Sequence, residues 1–282
     1  MNKTLKGILL VAIMSISFAS CTQVDLLDEV QAQKNARVRI LMDSEYPTTT
    51  TIVFATRIVN HYNKSFYRSD SVSLKPGQYK FYAVNKSSEY EYENLAIGDS
   101  VYYGDVNIKS MLCEAFESNQ SVKGIEDNGM KKALSGNDYV KLSSHTLYCD
   151  TTRVIDVENG KSNVANFDKL FHLTTKYQIE GTFKSTQEVE RVYVVIPDVI
   201  SAKKPNGAVA STKKVKFVVS YPVAKGVDKD LKYSVLLLGV AKSGTANVYV
   251  RCKGDNKSSA PEPKTVDYSV RDGKIVLGNI TF

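Results

Sequence analysis

The sequence predicts an all-β protein made of two β-sandwich domains in tandem, with short helical insertions. From residue 37 onward, apolar and polar residues alternate through much of the chain, which is typical of strands with one buried face. Turn sequences such as Pro-Asn-Gly, Lys-Ser-Gly and Arg-Asp-Gly separate the alternating runs of the second half. The 282 residues suit two domains of about 100 to 150 residues each once a leader is removed.

Residues 1–20 have the anatomy of a secretory signal peptide. Two lysines precede an apolar run, residues 7–18, that is too short to cross a bilayer as a mature helix. Phe-Ala-Ser-Cys at 18–21 then resembles the lipobox of bacterial lipoproteins, with phenylalanine in place of the usual leucine. The resemblance implies a lipid anchor on Cys21, whose thiolate suits thioether formation. The alternative is an ordinary signal peptide that ends beside a cysteine. Residues 21–36 are expected to form a tether.

Composition limits the classes of partner and cofactor. Without the leader the chain loses two lysines and no acids, so its net charge falls from +7 to +5. Basic residues are spread along the chain rather than gathered among aromatics, so no nucleic-acid partner is expected. The cysteines other than Cys21 are too few and too widely spaced for a disulfide framework, but a Cys113–Cys149 bridge stays open. Cys252 is interpreted as a small buried side chain.

The first domain is predicted over residues 37–160. Strands are expected at 37–42 and 52–58, where apolar residues recur at every second position. The sequence Leu-Lys-Pro-Gly-Gln-Tyr at 74–79 has the proline and glycine of a type II turn, and it joins two strands as a hairpin or as a corner between sheets. The Glu and Tyr alternation at 89–93 predicts a further strand with the tyrosines inward.

Between the two domains the strand pattern weakens. Short helices are expected at 110–117 and 125–134, the second ended by Gly-Asn-Asp. The second domain, residues 161–282, begins with the clearest alternation in the chain, at 171–184, which predicts a half-buried antiparallel strand. Further strands, which together indicate a sandwich, are expected at 189–196, 215–221, 232–240, 246–253, 265–270 and 274–282.

The chain carries no motif of a known catalytic or nucleotide-binding site, so enzymatic activity is not expected. His145 and Cys149 would share a face only on a helix, whereas their segment is typical of a strand, so we expect neither a metal nor a cofactor. The Asp and Asn residues at 127–129 and 254–256 fit plain turns better than calcium loops.

Tyrosine is abundant, with 17 copies. Among those of the first half, six could form stacked rings that bind sugars or partner proteins: Tyr62, Tyr67, Tyr90, Tyr92, Tyr102 and Tyr103. The simpler interpretation is that tyrosine favours strands and packs well with its hydroxyl in water.

Several of these features together resemble the fimbrillin-like lipoproteins of Bacteroidales, which include fimbrial anchor subunits. They are the lipobox leader, the turn Leu-Lys-Pro-Gly-Gln-Tyr-Lys-Phe at 74–81, the Ala-Val-Asn strand end at 83–85, and a second β-domain that closes on a terminal strand. The resemblance implies two transthyretin-like or immunoglobulin-like sandwiches, a lipid anchor in the outer membrane and a role in a fimbria or adhesive structure. It also implies other fimbrial or surface subunits as partners.

In such fimbriae, stalk subunits are cut after an arginine and then exchange strands. The resemblance implies such a cut after Arg37 or Arg39, just before the first strand. Arginines on the solvent face of an ordinary strand are the alternative. The other strand open to exchange is 274–282, with Ile275, Leu277, Ile280 and Phe282, although most terminal strands complete their own sheet. A competing function is a carbohydrate-binding surface lipoprotein of a glycan-uptake system.

Overall fold

The computed structural model describes residues 34–42, 50–95, 97–98, 101–113, 127–168, 170–211, 213, 215–223 and 228–282. Their regular secondary structure is almost entirely β-strand, which confirms the all-β fold class. The strands up to residue 172 are β1 (Ala36–Leu41), β2 (Thr51–Arg57), β3 (Asn63–Tyr67), β4 (Ser71–Leu74), β5 (Gly77–Asn85), β6 (Tyr90–Glu93), β7 (Asn107–Ser110), β8 (Leu112–Cys113), β9 (Tyr139–Val140), β10 (Tyr148–Thr151), β11 (Ile155–Val157), β12 (Asn163–Asn166) and β13 (Phe171–His172). Those that follow are β14 (Thr175–Lys184), β15 (Val189–Val199), β16 (Ala202–Lys203), β17 (Val215–Pro222), β18 (Asp228–Leu237), β19 (Ser243–Cys252), β20 (Lys264–Arg271), β21 (Lys274–Leu277) and β22 (Ile280–Thr281). A 3-10 turn, Tyr103–Asp105, and one helix, α1 (Asn128–Leu134), accompany them.

The first sandwich has three layers. Its central sheet has the order β13-β10-β5-β2-β3, with β11 also paired to β5. One face packs on the sheet β12-β1-β4, and the other packs on the sheet β16-β7-β6. Strand β2 is therefore buried on both faces: Val53 and Ala55 point into one core, and Ile52 and Phe54 point into the other.

The Pro-Gly turn makes a corner between sheets. Strand β4 before it belongs to an outer sheet and β5 after it belongs to the central sheet. Gly77 has a φ of +148°, and a Cβ there would lie 2.7 Å from Nε of Arg57. Arg57 donates a hydrogen bond through Nη2 to the carbonyl of Pro76 at 2.8 Å. Glycine is favoured here because L side chains rarely adopt this backbone angle, and a side chain would also displace the arginine that lies over the turn.

The second sandwich is one folded sheet. Its strand order is β18-β14-β21-β20-β19-β15-β17-β9-β8, with β22 also paired to β14. Apolar side chains from distant strands, such as Leu231 of β18 and Phe217 of β17, share one buried cluster, so the sheet packs its two halves face to face. Tyr177, Ile179 and Phe183 of the predicted inward face all belong to this core.

The helix expected at 125–134 is present from Asn128 to Leu134. It begins because Asp127 accepts a hydrogen bond from the Met130 N–H at 2.9 Å, which caps the first turn. Met130 and Leu134 pack on the outer face of the second sandwich. The other expected helix, 110–117, is wrong where the structure describes it, since Ser110 ends β7 and Leu112–Cys113 form β8. Pairing with β6, β16 and β9 outweighs local helix propensity there.

The single strand expected at 171–184 is divided between the two sandwiches. Phe171–His172 pairs with β10 in the first, and Thr175–Lys184 pairs with β18 in the second. Leu173 between them is fully buried, whereas Phe171 is 44% exposed. The division of the chain at residues 160 and 161 stays a prediction. The pairing shows that β12 joins β1 in the first sandwich, while α1 and β9 join the second.

Candidate functional site

The predicted anchor lies outside the described residues. Cys21, the leader and most of the tether precede residue 34, where the description begins. Within the described part of the chain, none of the helices is long and apolar enough to cross a membrane. Lipidation of Cys21 therefore stays a prediction.

The two arginines at the predicted cleavage position lie on the outward face of β1. Both are exposed, and Arg37 Nε donates a hydrogen bond to Ser71 Oγ at 3.0 Å. Their strand is the middle one of its sheet, since it pairs in parallel with β12 and antiparallel with β4. Cleavage after Arg37 or Arg39 stays a prediction, and in the intact chain this strand already has two partners.

The C-terminal strand also lies within its own sheet. Strand β21 pairs in parallel with β14 on one side and antiparallel with β20 on the other. Ile275, Leu277 and Ile280 are buried in the second core, and Phe282 lies at its border beneath the ammonium of Lys264, 4.8 Å from the ring centre. This is the arrangement of a terminal strand that completes its own sheet. Exchange of this strand between chains stays a prediction.

The second sandwich has one open side, formed by the outer edges of β17 and β18. Strand β18 pairs with β14 along all ten of its residues. Strand β17 pairs with β15 along its length, but with β9 only at Lys216. Among the described residues, no further strand pairs with the outer edge of β18 or with that of β17 from Phe217 onward. Unpaired backbone groups at such an edge are a template for another strand.

Two tyrosine rings lie between the sheets at this open side. Tyr221 of β17 and Tyr233 of β18 meet edge to face, with ring centres 5.5 Å apart. The hydroxyl of Tyr221 is buried and has no hydrogen-bond partner among the described residues. Burial raises the pKa of Tyr221 well above its usual value, so this hydroxyl remains a donor at neutral pH. A buried polar group of this kind normally has a partner.

A second concave surface, the tyrosine cleft, lies beside the third layer of the first sandwich. Its volume is about 900 Å³, within the range of ligand sites. It is lined by Tyr92, Asn94, Leu95, Val101, Tyr102, Asp105, Asn107, Lys204 and Ala210. Only Tyr92 and Tyr102 of the six tyrosines noted in the sequence line it. Tyr90 is buried, and Tyr62 and Tyr67 stand at opposite ends of β3.

The ring of Tyr102 is held in a fixed, open position. It is 42% exposed and meets the ring of His61 edge to face at 5.9 Å. It also lies across Gly104, where a Cβ would come within 2.5 Å of the Tyr102 ring. Behind it, Tyr103 stacks on Tyr82 at 3.8 Å. An aromatic face fixed in this way can receive an apolar ligand face at little entropic cost.

Polar groups surround that ring. Asn94 Nδ2 donates to the Asp105 carbonyl at 3.0 Å, and Asn107 Nδ2 donates to Glu93 at 3.2 Å. Neither amide oxygen accepts a hydrogen bond from the described residues, so both can receive a ligand hydroxyl. Lys204 Nζ donates to the Gly104 carbonyl at 3.1 Å, which holds the second half of the chain against this turn. Sequence reasoning missed Asn94, Asp105 and Lys204 because they are remote from one another in the chain.

The candidate metal and disulfide residues have other contacts. His145 is exposed and lies 3.0 Å from Glu89, which also accepts bonds from Ser143 and Ser144. The described residues contain no group of three or more His, Cys, Asp or Glu side chains able to hold a metal. Cys113 and Cys149 are both buried and no disulfide joins them, so the bridge left open by the sequence is not formed. Cys252, expected to be buried, is only partly buried at the edge of the second core.

No family model matches the chain, and no curated protein matches its sequence. Solved structures are similar to it at low identity. One is a candidate adhesin from Bacteroides ovatus, at 13% identity over 86% of this chain and 85% of that one, with a TM-score of 0.49. The fimbrial anchor protein Mfa2 from Porphyromonas gingivalis is similar at 12% identity over 87% of this chain and 99% of that one, with a TM-score of 0.43. A candidate polysaccharide-binding protein from Bacteroides thetaiotaomicron is similar at 10% identity over 86% and 78% of the two chains, with a TM-score of 0.38.

Proposed function

We propose that this protein is a lipid-anchored subunit of the bacterial outer-membrane surface that serves as a fimbrial anchor or accessory subunit in adhesion. Its role is to bind other proteins, not to catalyse a reaction. The observation that carries the proposal is the open side of the second sandwich, where no described strand pairs with the outer edge of β18 or with that of β17 from Phe217 onward. The anchor at Cys21 is what the lipobox implies, and the subunit role is what the fimbrillin-like resemblance implies.

The open side suits an incoming extended strand. Along β18, Leu231, Val235 and Leu237 point into the core, whereas Asp230 and Lys232 point to solvent. An added strand would continue this alternation, with backbone bonds giving affinity and inward side chains giving specificity. The unpartnered Tyr221 hydroxyl at the same side would gain an acceptor. The charged outward residues on β18 guard against unspecific pairing, as on other edge strands.

Site-specific photo-crosslinking in the native outer membrane tests this proposal. A photoreactive residue at Ser234, exposed on β18, is expected to crosslink to another surface or fimbrial protein. The matched control is Thr265, which is also exposed but lies on β20, a strand with partners on both sides. Equal crosslinking from both positions, or none from Ser234, would contradict an edge-mediated role.

The tyrosine cleft supports a second candidate function, binding of a surface glycan. A sugar ring has an apolar face that can lie on Tyr102, and hydroxyls that can bond to the Asn94 and Asn107 amides. Affinity electrophoresis in gels that contain neutral polysaccharides tests it. Tyr102→Ala is expected to abolish retardation, whereas Tyr67→Ala, which removes an exposed tyrosine outside the cleft, leaves it unchanged. Absence of retardation, or retardation that survives Tyr102→Ala, rejects this candidate.

A further inference from the structure

A second, smaller cleft lies on the outward face of the sheet β12-β1-β4. We call it the basic cleft. It has a volume of about 310 Å³. It is lined by Arg37, Arg39, Asp70, Ser71, Lys161, Ser162 and Asn163. Three of these side chains are cations and one is an acid, so the cleft has a net positive charge.

The cations of the basic cleft form no ion pair with the residues that the structure describes. Arg37, Arg39 and Lys161 are all exposed. Arg37 has a neutral partner, Ser71 Oγ. The side chains of Arg39 and Lys161 have no hydrogen bond or ion pair with any residue that the structure describes, and Asp70 forms no ion pair there either. Exposed guanidinium and ammonium groups in this state are ready donors to an oxyanion.

The frame that holds these cations is rigid. Asn163 is 6% exposed and its Nδ2 donates to the carbonyls of Arg37 and Lys161, both at 3.2 Å. The same amide contacts Glu158 through both its nitrogen and its oxygen. One buried side chain therefore fixes the turn that carries Lys161 against the strand that carries the arginines. Backbone positions that the fold holds in this way lose less entropy on binding than positions on free loops.

The position of the cleft in the chain indicates what it meets. Only 14 residues, 22–35, separate the predicted anchor at Cys21 from Ala36, the first residue of β1. Even fully extended, this segment spans at most about 50 Å, so a lipid-anchored chain keeps β1 within that distance of the membrane surface. We propose that the basic cleft binds the phosphate groups of anionic membrane lipids and thereby holds the first sandwich against the membrane surface. The proposal relies on the proposed anchor only for the location of the membrane.

Vesicle sedimentation tests the proposal with the mature chain carrying Cys21→Ser, which has no lipid of its own. The protein is expected to bind vesicles of phosphatidylcholine with about one-third phosphatidylglycerol, and not vesicles of phosphatidylcholine alone. The double variant Arg39→Ala/Lys161→Ala should bind the anionic vesicles about 25-fold more weakly, since each cation near such a surface contributes about fivefold. The matched control is Lys242→Ala/Arg271→Ala, which removes two exposed cations from the second sandwich.

The outcomes separate this proposal from its alternatives. Equal weakening by the two double variants would show attraction by net charge alone and would overturn the proposal. Absence of binding to the anionic vesicles would also overturn it. If inorganic phosphate binds to the basic cleft at constant ionic strength while anionic vesicles do not bind, the site is one for a free anion. The lipid assignment is then wrong. Because this chain is not lipidated, none of these results depends on whether Cys21 carries an anchor.

Discussion

Removal of the C-terminal strand, residues 274–282, is the perturbation that bears most directly on strand exchange. In the structure this strand lies between β14 and β20, and its side chains Ile275, Leu277 and Ile280 are 0%, 5% and 1% exposed. Truncation of a buried Ile or Leu to Ala costs about 2–5 kcal/mol. Loss of all three therefore costs about 6–15 kcal/mol, as much as the whole stability of a typical domain, about 5–15 kcal/mol. The truncated second sandwich is expected not to fold.

Urea unfolding followed by circular dichroism measures this effect. The intact chain should unfold cooperatively, and the chain that ends at residue 273 should lose the transition of the second sandwich. Val276→Thr is the control in the same strand, because Val276 is 39% exposed and its replacement should change stability by less than about 0.5 kcal/mol. A truncated protein that unfolds with an unchanged midpoint would refute the reasoning and would support a strand that belongs to a neighbour. Restoration of the transition by a synthetic peptide of residues 274–282 would show that the strand can be supplied from outside.

Three further predictions concern the helix, acid stability and the anchor. Asp127→Ala should destabilise the protein by about 3–5 kcal/mol in urea unfolding, because it leaves Arg251, which is 4% exposed, without its carboxylate partner. A smaller loss of stability for the double variant Asp127→Ala/Arg251→Met would confirm that the two residues are coupled. Additive losses would contradict it. Burial alone would raise the pKa of Glu89, but hydrogen bonds from Ser143, His145 and Ser144 outweigh it and lower the pKa to about 2. Glu89 therefore stabilises the fold fully above pH 4.5, and this contribution should disappear as the pH falls towards 2; Glu89→Gln should flatten the dependence of the urea midpoint on pH in that window, and an unchanged dependence would contradict it. Cys21→Ala should abolish labelling by radioactive palmitate and leave an unprocessed or soluble form, and unchanged labelling would reject the lipobox.

The alternation of apolar and polar residues along the chain predicted many strands of the second sandwich. Strands expected at 189–196, 215–221 and 246–253 are present with small changes at their ends. This works because a strand with one buried face must place apolar residues at every second position, and that requirement is visible in the sequence itself. The Pro-Gly turn at 76–77 is also local, because only glycine accepts its backbone angle beside Arg57.

Pairing partners were not visible in the same way. Periodicity predicted one continuous strand at 171–184, yet its first two residues pair with β10 in one sandwich and the remainder pairs with β18 in the other. Likewise, the segment around α1 follows strands of the first sandwich in the chain but packs on the second. Alternation fixes which face of a strand is buried, whereas the choice of neighbour depends on contacts between residues that are remote in sequence.

The sequence by itself determined that this protein is all-β and where most strands of its second half run, and it predicts a lipoprotein-like leader. Only the tertiary structure decided where the sheets remain open and which side chains meet in the clefts. The open side depends on the lack of an outer partner, among the described residues, for β18 and for β17 from Phe217 onward, and the basic cleft depends on Asn163 joining Lys161 to β1 across more than a hundred residues of chain. Such features arise from long-range pairing and packing, which no local pattern of residues encodes.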